Sequence, residues 1–202
     1  MNRNIKIFNI IAGVFPTRKL KKSLRILVLA NAAMVFVVAM FAPFYAVYAQ
    51  KINANIAIVG LSWAIYPIVA GFLTFLFSRW QMRVKEQELM LALSYVIRGG
   101  AFLSYAVMGG ILQLILTQIL WGIGSALGAP AFDSLYSSHT SNEGSVAEWG
   151  QWEGMALMAH GLAAVVSGVI IQAVGYTWLF AAMSTISFCL GVYIWKLPRE
   201  LL

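Results

Sequence analysis

ILQLILTQILWGIGSALGAPAFDSLY, residues 111–136, decides the fold class: the stretch holds one charge, Asp133, close to its end. A helix rises about 1.5 Å per residue, so a run of this length crosses a hydrocarbon layer about 30 Å thick. Gly124 and Gly128 stand in a G-x-x-x-G spacing, and with Gly122 they sit within two turns. In lipid, small residues at that spacing let a second helix approach closely. Proline lacks the N–H that an inner helical turn needs, so Ala129-Pro130 is expected to break the helix near its end.

The rest of the chain has the same character. Hydrophobic residues make up 61% of its 202 residues and charged residues only 10%. Soluble domains are nearer 45–50% and 25%. The net charge of +7 would suit nucleic acid if the basic residues formed a stripe among aromatics. Instead Lys and Arg gather at the ends of apolar runs, so no nucleic-acid partner is expected. One cysteine, Cys189, allows neither an internal disulfide nor a Cys-rich metal site. No Ser-His-Asp or H-E-x-x-H spacing, Gly-rich phosphate loop or pair of metal carboxylates is present, so neither an enzyme nor a cofactor is expected.

Six spans follow, at about 26–49, 55–77, 89–110, 111–136, 152–174 and 177–195, in one transmembrane domain over 26–196. Residues 1–25 read as a cytoplasmic or interfacial segment whose apolar run is too short to span, and 197–202 as a cytoplasmic tail. The longest polar connection is 137–151. With both termini inside, twelve of the 14 Lys and Arg residues lie in cytoplasmic segments and only Lys51 lies outside. The positive-inside rule therefore orients the chain in a plasma (inner) membrane with the lipid bilayer as its first partner.

The first and fourth spans end alike, in Ala42-Pro43-Phe44-Tyr45 and Ala129-Pro130-Ala131-Phe132, and Gly60-Leu61 and Gly161-Leu162 open the spans that follow. Three helices separate the copies, so they cross in opposite senses. The fold class expected is therefore all-α, with six transmembrane helices in a 3+3 inverted repeat. Helices broken at matching positions, here Pro43 and Pro130, are where secondary transporters bind their substrates.

Polar groups inside a membrane are costly and mark function or helix seams. On the fifth span Glu153, His160 and Ser167 recur every seventh residue, within about 40° of one another around the helix. Glu153 and His160 are the proton-coupling candidates, since imidazole is the side chain that changes charge near neutrality. Gln118, Trp121 and Ser125 form a mixed stripe on the fourth span, Asn31 and Tyr45 one on the first, and Ser62 and Tyr66 one on the second. Asp133, beyond Pro130, reads as a gate, and Arg98 on the third span as a paired or snorkelling residue.

LTQILWGIGSALGAPAFDSL at 116–135, GLSWAIYPIVAGFL at 60–73 and SGVIIQAVGYTWLFAAMS at 167–184 resemble the fourth helix, the second helix and the fifth-to-sixth corner of the major facilitator superfamily. The resemblance covers nearly all of 25–196 and implies a small-molecule transporter working by alternating access. It implies that the first and fourth helices line the cavity most directly while the second and fifth meet the opposite half; the lining candidates on these stripes are Asn31, Tyr45, Ser62, Tyr66, Gln118, Trp121 and Ser125. SRWQMR at 78–83 keeps that family's Arg79 and Arg83 but has Ser78 where an acid is usual, and Gln118 stands where the fourth helix often has an arginine. Six helices equal one half of the family's twelve, so a parallel homodimer is expected, its seam between the second and fifth helices near Gly71 and Gly168. A half-subunit with a different partner and a non-transporting interaction protein are the alternatives. An aromatic, weakly charged cavity suits a neutral, amphipathic or cationic small molecule.

Overall fold

The computed structural model describes residues 22–140 and 145–197. Among them all regular structure is helical: α1 (Lys22–Ala39), a 3-10 turn (Ala42–Phe44), α2 (Tyr45–Lys51), α3 (Ile56–Gln81), α4 (Gln87–Ala106), α5 (Ile111–His139), α6 (Ser145–Val174) and α7 (Tyr176–Lys196). Helices α1 and α2 together form the first of six segments long and apolar enough to cross a membrane. The protein is an integral membrane protein. Most of the 1–25 segment and all but Leu197 of the tail lie outside the described residues.

The first span breaks where Pro43 falls. With no N–H on Pro43, the chain changes to tighter bonds: Phe41 N donates to Val38 O at 3.3 Å, and Phe44 N to Phe41 O at 2.9 Å. The break turns Phe41 into a nest of rings, 4.8 Å from both Tyr105 and Phe180 and 5.5 Å from Tyr48. Such edge-to-face contacts each add about 0.5–1.5 kcal/mol beyond the area they bury.

Pro130 does not break its helix, contrary to the sequence expectation. α5 runs unbroken through it to His139. The carbonyl a proline orphans is that of the residue four before it, Ala126. The buried Gln81, in the last turn of α3, donates Nε2 to Ala126 O and Leu127 O, both at 3.3 Å. A side chain from another helix replaces the missing backbone donor. The matched Ala-Pro pairs therefore have different consequences, a break at Pro43 and a bridged carbonyl at Pro130.

Small residues set the helix spacing. On α5, Gly124 and Gly128 lie against Arg98 and Ser94 of α4, and Gly122 lies against Val69 and the Tyr66 carbonyl of α3. On the other side of α4, Gly191 of α7 meets Val96 and the Ala92 carbonyl. α4 is thus held between α5 and α7. α1 packs mainly on α6 and also touches α7 and α5.

The 137–151 connection is shorter than its polarity suggests. Ser137, Ser138 and His139 all bond carbonyls of the preceding α5 turn. Tyr136 donates its hydroxyl to the Glu148 carbonyl, and the Tyr136 and Trp149 rings lie 4.5 Å apart. Local bonds and aromatic packing carry both helices past the apolar stretch. At the α6–α7 corner Gly175 has φ 84°, which L residues rarely adopt, so the turn expected there requires glycine.

Candidate functional site

A cavity of about 210 Å³ opens among the first four spans. Phe41 and Tyr45 reach it from the broken first span, Trp63 and Tyr66 from α3, Tyr105 from α4, and Gln118 and Trp121 from α5. Because the Pro43 break starts α2 at Tyr45, this ring faces α3: it lies 4.7 Å from Trp63. The chain of rings continues from Trp63 to Tyr66 at 6.2 Å and from Tyr66 to Trp121 at 6.4 Å.

The polar groups of this wall are few. Ser62 donates to Val59 O at 3.0 Å, so its single proton is used and Tyr45 donates to Ser62 Oγ at 2.6 Å. Gln118 is buried at 3% exposure with its side chain at hydrogen-bonding approach to the Tyr45 hydroxyl, although its Nε2 completes no hydrogen bond of good geometry. That nitrogen is turned away from the open space of the cavity.

Four of the seven lining candidates therefore meet at one place: Tyr45, Tyr66, Gln118 and Trp121. Ser62 stands behind Tyr45. Asn31 belongs elsewhere: it accepts from Tyr95 at 2.8 Å and ties α1 to α4. Ser125 is half-buried on α5 and does not line the cavity. Phe41, Trp63 and Tyr105 line it without having been singled out, since apolar aromatics in a membrane helix carry no signal separating wall from core.

The fifth-span stripe divides. Ser167 is buried and bonds Ala163 O at 2.7 Å. Glu153 and His160 are exposed on the N-terminal half of α6, with His160 Nδ1 on Ala156 O at 2.8 Å. A carbonyl only accepts, so Nδ1 donates in this bond. Asp133, the expected gate, is exposed on α5 just beyond Pro130.

Arg98 is half-buried: its Nε is buried without a partner, and no carboxylate pairs with the guanidinium among the described residues. Arg79 and Arg83 are exposed; the residue of that segment reaching α5 is Gln81. At the expected seam, Gly71 is open, whereas Gly168 lies 3.4 Å, measured from an ideal Cβ, from Phe44 of its own chain. Further along α6, Gly154 and Gly161 have nothing within 4 Å of an ideal Cβ. A second, wholly apolar groove runs between α1, α6 and α7, past Phe36, Met155, Met158 and Ile186.

The family model of the Major Facilitator Superfamily matches residues 27–201. The chain belongs to the major facilitator superfamily. No curated protein and no solved structure matches it. Members of this superfamily are membrane transporters, and the described residues supply the six helices of a half-size member.

Proposed function

We propose that the chain is the six-helix unit of a small-molecule transporter, secondary-active or facilitative, working by alternating access as a parallel homodimer. The observation that carries this is the aromatic cavity among the first four spans, in a superfamily of transporters. It is not an enzyme on this reading. The packing of α3 on α5 and of α6 on α1, with α4 on α7 between them, supports the 3+3 inverted repeat. Exchanging the two sets of three spans carries these contacts into one another.

The exposure of two helices supports a second copy. Only 11% of the apolar window of α3 and 17% of that of α6 is buried, against 39–50% in the other spans. Both helices carry glycines with open space, Gly60 and Gly71 on α3, Gly154 and Gly161 on α6, which favours close approach of helices in lipid. The same face of α6 would turn Glu153 and His160 toward the partner copy, where they would move protons.

A stabilisation screen of purified protein finds a transported solute, because a ligand of the folded state raises its apparent stability. Wild-type protein should then be dimeric in nanodiscs and take up that solute in liposomes, and Gly161→Leu should lose both. A monomer that transports alone refutes the homodimer. A monomer that needs a different six-helix chain supports the half-subunit reading. Absence of any stabilising solute or uptake refutes the transport reading. In the same assay His160→Gln should flatten the pH profile of uptake between about pH 5 and 8. An unchanged profile removes His160 from any proton path and leaves facilitated diffusion.

Cytoplasmic termini in a plasma membrane complete the reading. Asn53 is a poor labelling site, since its φ of 64° suits asparagine better than cysteine. Gln50→Cys, exposed one turn before the loop, should react with an impermeant maleimide from outside intact cells in a Cys189→Ser background. Reaction only after permeabilisation reverses the orientation.

A further inference from the structure

The apolar groove between α1, α6 and α7 has a volume of about 520 Å³, far above the roughly 150 Å³ of a cavity that holds benzene. Its floor is small and its walls are long. Ala32 and Ala33 of α1 form the floor, with Leu29 and Phe36 a turn to either side. Met158 and Leu162 of α6 form the outer wall, both more than half exposed. α1, KSLRILVLANAAMVFVVA, contains no glycine. Its neighbours therefore cannot close on it as α5 closes on α4 through Gly124 and Gly128.

The groove opens away from the aromatic cavity. On α6, Trp152 packs toward α5, 4.6 Å from Phe132. Met155, Met158 and Leu162 stand about 60–120° round the helix from it, on the side where Ile186 of α7 completes the groove.

The α1 stripe that lines the groove continues to a cation. Arg25, Leu29, Ala32 and Phe36 follow at spacings of four, three and four, which keep them on one helix face. Arg25 is exposed. Helical side chains lean toward the N-terminus of their helix, so its guanidinium reaches from the end of the groove toward the membrane surface where α1 begins. α7 ends at the same surface, with the exposed Lys196 in its last turn. Of the acids on α6, Glu148 is buried and already engaged. Glu153 stands about 200° round the helix from Met155, on the side opposite the groove. From Arg25 to Phe36 the helix rises about 16 Å, half of a bilayer core about 30 Å thick. A cation at the surface, followed by an apolar channel that reaches the midplane, matches one leaflet's worth of a phospholipid.

We propose that the groove binds an anionic phospholipid of the leaflet at which α1 begins, with one acyl chain laid along Ala32 and Ala33 and the phosphate on Arg25. A guanidinium fits phosphate oxygens in a fork, and methionine walls adapt to a flexible chain. The site is independent of whatever solute the aromatic cavity takes.

The test is native mass spectrometry of the full chain in detergent with equimolar dioleoylphosphatidylglycerol and dioleoylphosphatidylcholine. Wild type should retain one phosphatidylglycerol per chain, with a preference of about fivefold over phosphatidylcholine, the worth of one basic side chain at an anionic surface. Arg25→Gln should bring the two lipids close to parity. Arg79→Gln removes another exposed cation at the same surface, on α3, which does not line the groove; it should leave the preference unchanged. Ala33→Trp fills the floor and should lose both lipids while keeping the wild-type oligomeric state. Dihexanoylphosphatidylglycerol tests the chain without any substitution: it carries the same headgroup on chains too short to reach Phe36. It should bind wild type about tenfold more weakly or worse, since each methylene taken from the groove gives up hydrophobic burial. Equal losses in Arg25→Gln and Arg79→Gln would mean diffuse attraction to the surface and overturn the proposal. So would short chains binding as well as long ones, or wild type retaining no lipid. An Ala33→Trp protein that keeps its lipid but loses its dimer would assign the groove to a second copy instead.

Discussion

Gln81→Leu should destabilise the protein by about 1–3 kcal/mol, the cost of leaving buried acceptors without a donor. The affected groups are Ala126 O and Leu127 O, both bonded by Gln81 Nε2 at 3.3 Å. Only Ala126 O lacks its backbone donor, because position 130 is proline. This makes the effect conditional. In Pro130→Ala the backbone N–H returns to Ala126 O, and the Gln81 amide becomes dispensable. The double variant should therefore melt much nearer to wild type than Gln81→Leu alone, with a coupling of about 1–2 kcal/mol in the double-mutant cycle. Thermal melting of the four proteins in one detergent measures it. Additive losses would mean that Gln81 merely fills space.

Gly122→Leu should prevent a stable fold, and Gly122→Ala should cost about 2–3 kcal/mol by overpacking. A Cβ at this position would lie 2.8 Å from Val69 Cγ1 and 2.9 Å from the Tyr66 carbonyl oxygen. The valine can rotate, but a backbone carbonyl within a helix cannot, so α3 must move away from α5. Tyr66 moves with it, and the cavity loses one wall. Gly71→Ala on the same α3 meets nothing within 4 Å and gains the helix preference of alanine over glycine, about 0.5–1 kcal/mol. A melting midpoint that falls for Gly122→Ala and holds or rises for Gly71→Ala confirms that space decides the sign. Equal effects would put the cost in the loss of glycine itself.

Hydropathy made the six spans legible, because each helix in a membrane must satisfy its own backbone and bury apolar side chains. It did not show what other helices contribute. The Pro130 expectation failed because a donor 45 residues away in sequence, Gln81 Nε2, serves the orphaned carbonyl. Gln81 itself, inside SRWQMR, reads as a loop residue beside two arginines. A signal was present all the same: a proline deep in an apolar helix demands a donor from somewhere, and Gln81 is a polar residue near the matching end of the second span. Asn31 has a similar history, since its partner Tyr95 lies 64 residues on. Gln118 and Trp121 were found because a polar and an amphipathic side chain in a long apolar run stand out. Glu153 and His160 also stood out, but periodicity fixes a helix face without saying whether a neighbour covers it.

The broken first span invites comparison with a hinge, but its attachments make it a strut. On one side of the break Asn31 holds α1 to Tyr95; on the other, the Tyr48 hydroxyl donates to the Tyr105 carbonyl at 2.6 Å. Both anchors are on α4, and Phe41 is wedged between them against Tyr105 and Phe180. A joint whose two arms are fixed to the same rigid rod cannot bend by itself. The missing N–H of Pro43 therefore provides direction without freedom: it aims Tyr45 across the cavity at a fixed angle and keeps it there.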